Sequence, residues 1–276
     1  MKLVCGLPSL DSLNEISCFV DGVLLEDKED ILEEINSIKK LNIVPIYSLK
    51  EMVFPMELEQ YKQKILLTKD TDCLYYITDL GLAHILKEFG LIHRTIFDPV
   101  TMITNSLDAK EYMSYGFKAI GLSNEITLKD TKEIIEKTGI NAFLQVFGYR
   151  LMLNTRRHLI SLYSEKIQKP ISTKRLVLEE ATRKDQYPIV ETEQGTKIYR
   201  SELISLAEEL TSLPIEYAFI NSYGISEEIL IQVLKSFHGI LMTEDIETNL
   251  RDLNALGLSI GEGFAYHDSV YMKEEF

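Results

Sequence analysis

The sequence predicts an α/β protein of the (β/α)8 TIM-like barrel class, with a small β-rich insertion between strands seven and eight. Three observations carry that expectation. Eight short runs rich in Val, Ile, Phe and Tyr recur along the 276 residues, segments of helical periodicity separate them, and the runs are continuously apolar instead of alternating. Strands covered by helices on both faces lose their alternation, as FKAIGL (117–122) and AFLQVF (142–147) do. Strands that alternate with helices form parallel sheets. Eight of them fit a closed barrel, with a doubly wound open sheet as the alternative.

Taken in order, the strand runs are 2–5, 19–25, 43–47, 73–77, 93–97, 117–122, 142–147 and, after a long interruption, 216–220 (EYAFI). Helical segments lie at 28–41, 79–89, 107–115 and 128–138. Several open with Ser, Thr or Asp near the first turn and close on glycine, at Gly90, Gly116 and Gly139. The interruption, 154–200, carries short β-like pieces separated by Pro170, Pro188 and the turn Glu193–Gln194–Gly195. It reads as a β-rich insertion on the barrel mouth, with 1–153 and 201–276 forming the barrel and its tail. The strand-like tail GEGFAYHDSVYMKEEF is expected against the insertion or the barrel wall.

Composition narrows the function classes. With 45% hydrophobic and 26% charged residues the chain is ordinary globular material, long enough to bury a proper core. A net charge of −14 disfavours wholesale binding to nucleic acid or to anionic membranes. The three cysteines, Cys5, Cys18 and Cys73, are too few and too scattered for a disulfide framework or a zinc site. The opening apolar run is too short for a signal-peptide core, and no stretch approaches the roughly 20 apolar residues of a membrane span. A soluble, cytoplasmic protein without a membrane partner is expected.

In a parallel barrel, chemistry gathers at the C-terminal strand ends. Those positions here hold Glu26 and Asp27, Tyr47 and Ser48, Thr78 and Asp79, Asp98, Asn105, Ser123–Asn124–Glu125, Gly148–Tyr149–Arg150 and Asn221–Ser222. Carboxylates, amides and hydroxyls facing one mouth are the minimum for acid/base work. Asp79 and Ser123 have a second reading as helix caps, and Glu125 fits a first helical turn. The five histidines are far apart, and no nucleophile-elbow, zincin, P-loop or dinucleotide motif occurs. No strand-end lysine offers a Schiff base, which disfavours an aldolase-type enzyme.

Charge is uneven. Residues 150–184 hold nine basic side chains against three acidic ones, a local +6 that leaves −20 for the remainder. The segment reads either as an anion-binding lip led by Arg150, Arg156 and Arg157 or as a lysine-protected edge strand. A peptide or an RNA loop is the ligand such a lip would take.

Two segments together carry a family resemblance. RTIFDPVTMITNSLDAKEYMSYGFKAIGLSNEITLKD (94–130) and LQVFGYRLMLNTRRHLISLY (144–163) resemble, in order and spacing, the collagenase-like peptidase family, unassigned peptidase family U thirty-two. YPIVETEQGTKIYRSEL (187–203) is similar to a third family piece. The resemblance matches Asn105 and Glu125 to family residues, Gly148 to the signature glycine, and Arg157 with Ser161 to its R-x-x-x-S part. It also shows departures. The signature cysteines fall at Leu151 and His158, its histidine at Phe147, and the Arg before the Glu is Asn124 here.

The resemblance implies a peptidase-like hydrolase. Glu125 would be its general acid/base, and Asn105, Ser123, Gly148, Arg150, Arg156 and Arg157 would hold a peptide-like or anionic ligand. Family members that hydroxylate RNA bases or quinones hold an iron–sulfur cluster on four cysteines, which this chain cannot supply. No cofactor or metal is therefore expected. The alternative is a non-catalytic subunit that pairs with a cysteine-bearing family member acting on RNA bases.

Overall fold

The computed structural model describes residues 1–267 except 8, 50–51, 172–175, 180, 183–184 and 243–244. Lys174, Arg175, Arg183 and Lys184 of the basic segment, together with tail residues 268–276, lie outside the described residues.

Eight parallel strands close into a barrel. They are β1 (Lys2–Gly6), β2 (Gly22–Leu25), β3 (Val44–Ser48), β4 (Leu74–Ile77), β5 (Thr95–Phe97), β6 (Ala119–Gly121), β7 (Ala142–Thr155) and β11 (Tyr217–Ile220). Each pairs with the next, and β11 pairs with both β7 and β1, which completes the ring. The open-sheet alternative falls with that closure. Helices α1 (Leu13–Ile16), α2 (Ile31–Lys39), α3 (Leu58–Thr68), α4 (Leu80–Glu88), α5 (Ser106–Ser114) and α6 (Leu128–Thr138) follow the first six strands, and α8 (Glu227–Leu241) follows β11.

The strands divide their side chains between two cores. One set fills the barrel: Val4, Ile46, Leu74, Ile96, Ala119, Phe143 and Tyr217, with Leu24, Tyr76 and Phe219 against them. Their neighbours in sequence, such as Leu3 and Cys5 or Val23 and Leu25, pack outward under the helices. Both faces are therefore apolar, which is why the strands read as unbroken runs.

The seventh crossover departs from the repeat. The strand β7 runs on past the barrel to Thr155 as an arm, and β10 (Gly195–Ser205) returns antiparallel along it. The strands β9 (Gln186–Thr192) and β8 (Leu176–Glu179) extend this sheet, and helix α7 (Leu159–Ile167) packs on it. The expected boundaries at 154 and 200 thus fall inside continuous strands. Arm and barrel share one hydrogen-bonded sheet. A single 3-10 turn, Leu210–Ser212, stands where a seventh barrel helix would be. After α8 come α9 (Ile246–Ala255) and the two-residue strand β12 (Ile260–Gly261), which pairs with β10. Among the described residues, no helix is long and apolar enough to cross a membrane.

Candidate functional site at the barrel mouth

At the C-terminal end of the barrel the apolar filling gives way to polar groups. The Tyr76 hydroxyl, topping the interior cluster, donates to Asp98 Oδ2 at 2.8 Å. Gly121 makes room for that carboxylate: a Cβ at this position would lie 2.2 Å from Asp98 Oδ1. The same Oδ1 accepts the Val100 N–H at 3.0 Å. Val100 has φ +65°, a left-handed conformation that costs a β-branched residue about 1–3 kcal/mol. Its carbonyl accepts from Asn124 N at 3.2 Å, and the Asn124 carbonyl accepts from Arg150 Nη1 at 3.0 Å. The loops after β5 and β6 and the β7 arm are thereby tied into one rim.

The sequence-derived site residues fall on this rim and along the arm. Asn105 caps α5: its Oδ1 accepts from the Leu107 and Asp108 N–H groups, both at 3.0 Å, and its Nδ2 donates to Asp108 at 2.7 Å. Ser123 is buried beside Asn124 and accepts the Glu125 N–H at 3.1 Å, while Glu125 itself is exposed. Neither of them starts α6. Thr127 does, in a capping box with Asp130. Asp79 caps α4 by accepting from Gly81 N at 2.7 Å, so the capping reading holds there.

Gly148 sits where the arm leaves the barrel, with φ +106° and the Asn221 carbonyl 2.3 Å from where a Cβ would be. No L side chain fits that corner. Just beyond it, Arg150 is 5% exposed, and among the described residues its Nε has no hydrogen-bond partner. Burial, with a further contribution from nearby Arg200, lowers its guanidinium pKa to about 10, which still leaves it charged at neutral pH. Arg156 lies farther out. Its Nη2 donates to Glu57 at 2.8 Å and its guanidinium covers the Phe54 ring at 5.1 Å, so the arm reaches over to the loop after β3. Arg157 is exposed. Ser123 and Glu125 thus adjoin the rim that Asn124 and Arg150 tie together, Asn105 caps its own helix, and Arg156 and Arg157 lie farther along the arm.

Two further strand-end candidates are engaged in structure. Asp27 accepts from Tyr47 Oη at 2.6 Å and pairs with Lys64. Asn221 holds the arm through the Tyr149 carbonyl at 2.8 Å. Arg200 and Tyr199 of β10 did not stand out in the sequence. Tyr199 stacks on Tyr223 of the β11–α8 loop at 4.0 Å. Their only sequence signal is their place in the GTKIYRSEL piece.

A cluster of the kind the family resemblance implies does not fit these residues. It would need thiolates converging on one spot. Cys5 and Cys73 are buried in barrel-strand runs, the Cys5 thiol pushed up to about 12 by burial, and Cys18 is exposed after α1. The two positions that the resemblance matches to signature cysteines hold Leu151 on β7 and His158 at the start of α7. Among the described residues no group of three or more His, Cys, Asp or Glu could hold a metal ion.

Comparison with known proteins adds the family. The tRNA hydroxylation protein P2 of Bacillus subtilis (strain 168) is 27% identical over 173 residues, 54% of this chain and 55% of the relative. The chain spans about half the length of that curated relative. Among solved structures, a 3-dehydroquinate dehydratase from Geobacillus kaustophilus HTA426 is 10% identical with a TM-score of 0.46, covering 88% of this chain and 92% of its own. A glycerol uptake operon antiterminator-related protein from Thermotoga maritima MSB8 is 13% identical with a TM-score of 0.38, covering 52% and 81%. The model of peptidase family U32 matches residues 25–171, from the second barrel strand to the end of α7, and the chain belongs to that family.

Proposed function

We propose that this chain serves in the cytoplasm as a non-catalytic subunit in tRNA hydroxylation, paired with a cysteine-bearing member of its own family. The observation that carries the reading is that Leu151 and His158 stand where the resemblance places the family's signature cysteines, while the glycine it matches, Gly148, keeps a corner no side chain could fill. A chain that keeps the scaffold and lacks the thiolates can position a substrate or a partner without holding the cluster itself. The name of the Bacillus relative supports the RNA side of the reading. The rival is a hydrolase in which Glu125 activates water, and its support is the family's description.

The test is genetic and chemical. Deleting the chain in its host should remove a hydroxylated base from tRNA nucleosides analysed by mass spectrometry, and re-expression should restore it. Anaerobic purification should give a colourless protein alone and a coloured complex with its partner. An unchanged nucleoside profile after deletion would overturn the proposal.

A further inference from the structure

Opposite Arg150 the arm's pairing breaks. Tyr199 faces Leu151 and Leu203 faces Tyr149, so β10 places three residues, 200–202, where β7 places one. Bulges of this kind re-aim side chains and open a sheet locally. Here the bulge borders a groove of about 290 Å³, walled by β10, Tyr187 and Asp185 of the β9 side, and Gly261 and Gly263 of the returning tail. Arg200 lines it, with its guanidinium 4.2 Å from the Phe264 ring centroid. Arg150 reaches the same wall from below: its Nη1 lies 3.4 Å from where a Gly263 Cβ would be.

Arg200 therefore lines the groove, and the buried guanidinium of Arg150 lies behind its Gly263 wall. Among the described residues neither has an ion-pair partner, and the buried Arg150 Nε has no acceptor. Burial lowers the affinity of Arg150 for its proton, and the like charge of Arg200 adds a smaller contribution. Glu202 also lines the groove. Its Oε2 is 2.1 Å from where a Gly261 Cβ would be, which places the carboxylate against the tail backbone. A buried donor without an acceptor beside a second cation favours an anion at that place. Planar guanidinium forks match the oxygens of a phosphate, and an adjacent basic segment suits a polyanion.

We propose that Arg150 and Arg200 form a seat for one backbone phosphate of an RNA strand, in the groove between the β10 bulge and residues 261–264. The identity of the strand rests on the tRNA reading above, while the seat rests on the groove itself. Asp185 and Glu202 on the walls repel a second anion, so the seat takes a single phosphate. The exposed arginine of the arm, Arg157, is free to meet a neighbouring one.

The full chain would be titrated against a fluorescently labelled RNA stem–loop by anisotropy over a range of salt concentrations. Arg200→Gln is expected to weaken binding about tenfold and to make the salt dependence shallower by about one phosphate contact. Arg150→Lys should weaken it as well, with circular dichroism reporting whether the fold is kept. Lys235→Gln, on the exposed face of α8, should change neither quantity. Inorganic phosphate should compete with the RNA better than acetate does at matched ionic strength. Wild-type binding that is absent, or that Arg200→Gln leaves unaltered, would overturn the seat, as would stronger competition by acetate. Hydroxylated-base levels in the deletion strain report separately on the subunit reading, so the two failures are distinguishable.

Discussion

Gly121 and Asp98 occupy the same space at the top of the barrel. The carboxylate of Asp98 lies where the first carbon of any side chain at 121 would have to go, 2.2 Å from its Oδ1. The glycine lets the carboxylate sit between the Tyr76 hydroxyl and the Val100 amide, which holds the strained turn of the rim together.

Gly121→Ala should therefore displace Asp98, release Val100 from its left-handed conformation and destabilise the protein by about 1–3 kcal/mol. Urea denaturation checks the magnitude. Tyr76→Phe, which removes one hydrogen bond without adding bulk, should cost about 0.5–1.5 kcal/mol.

Gly148→Ala is expected to be worse, because two penalties coincide. Its φ of +106° disfavours any L residue, and its neighbour is backbone, the Asn221 carbonyl, which cannot rotate away. A loss above about 3 kcal/mol, or failure to accumulate folded protein, is the expected outcome. Asn221→Ala, which leaves the corner but removes the amide's bond to Tyr149, should be milder. Thermal unfolding of the pair separates the two effects.

Arg156 and Glu57 join the arm to the loop after β3 across 99 residues of sequence. Their side chains are 22% and 15% exposed, so solvent screens the pair in part. A double-mutant cycle of Arg156→Ala and Glu57→Ala should return a coupling of about 0.5–1 kcal/mol that shrinks with salt. Zero coupling would mean that this contact adds nothing to the strand pairing and the other bonds that hold the arm.

Helix α7 is capped from another strand. Glu191 of β9 accepts from Ile160 N at 2.7 Å and from the Ser161 N–H and hydroxyl, while Thr196 Oγ1 accepts from Leu159 N at 2.9 Å. Desolvation pushes the Glu191 carboxyl up, but the hydrogen bonds from Ser161, Ile160 and Thr196 outweigh it and hold its pKa below the usual range. The stabilisation is thus present above the unfolded carboxylate value, about 4.3, and is lost as pH falls through the lower folded value. The exchange protection of the α7 amides, corrected for the intrinsic pH dependence of exchange, should fall as pH drops below the usual carboxylate range, and Glu191→Gln should abolish that loss.

Glu125 separates the two functional readings. In the subunit reading its exposed carboxylate performs no chemistry, so Glu125→Gln should leave the hydroxylated-base level unchanged in the complemented deletion strain. Loss of a peptide-hydrolysing activity in that variant would support the hydrolase instead.

The barrel itself was legible from local pattern. Apolar runs without alternation pointed to strands buried on both faces, and eight of them separated by helices fitted a closed ring, with an open sheet as the alternative until β11 was seen to pair with both β7 and β1. The caps at Asp79 and the family pieces were also readable, since each is carried by a few adjacent residues. The helix α7 was not: its periodicity sits inside a segment whose prolines and glycine turn speak for strands, and its cap comes from Glu191, some 30 residues on. The same limit hid the rim. That Asp98 meets Tyr76 and Gly121, that Arg150 is buried beside Arg200, and that Arg156 reaches Glu57 all depend on strand register and on the path of the arm. Neighbours in sequence encode periods of two or 3.6 residues. Contacts between residues tens of positions apart exist only once the ring has closed and the β10 bulge has set which side chain faces which.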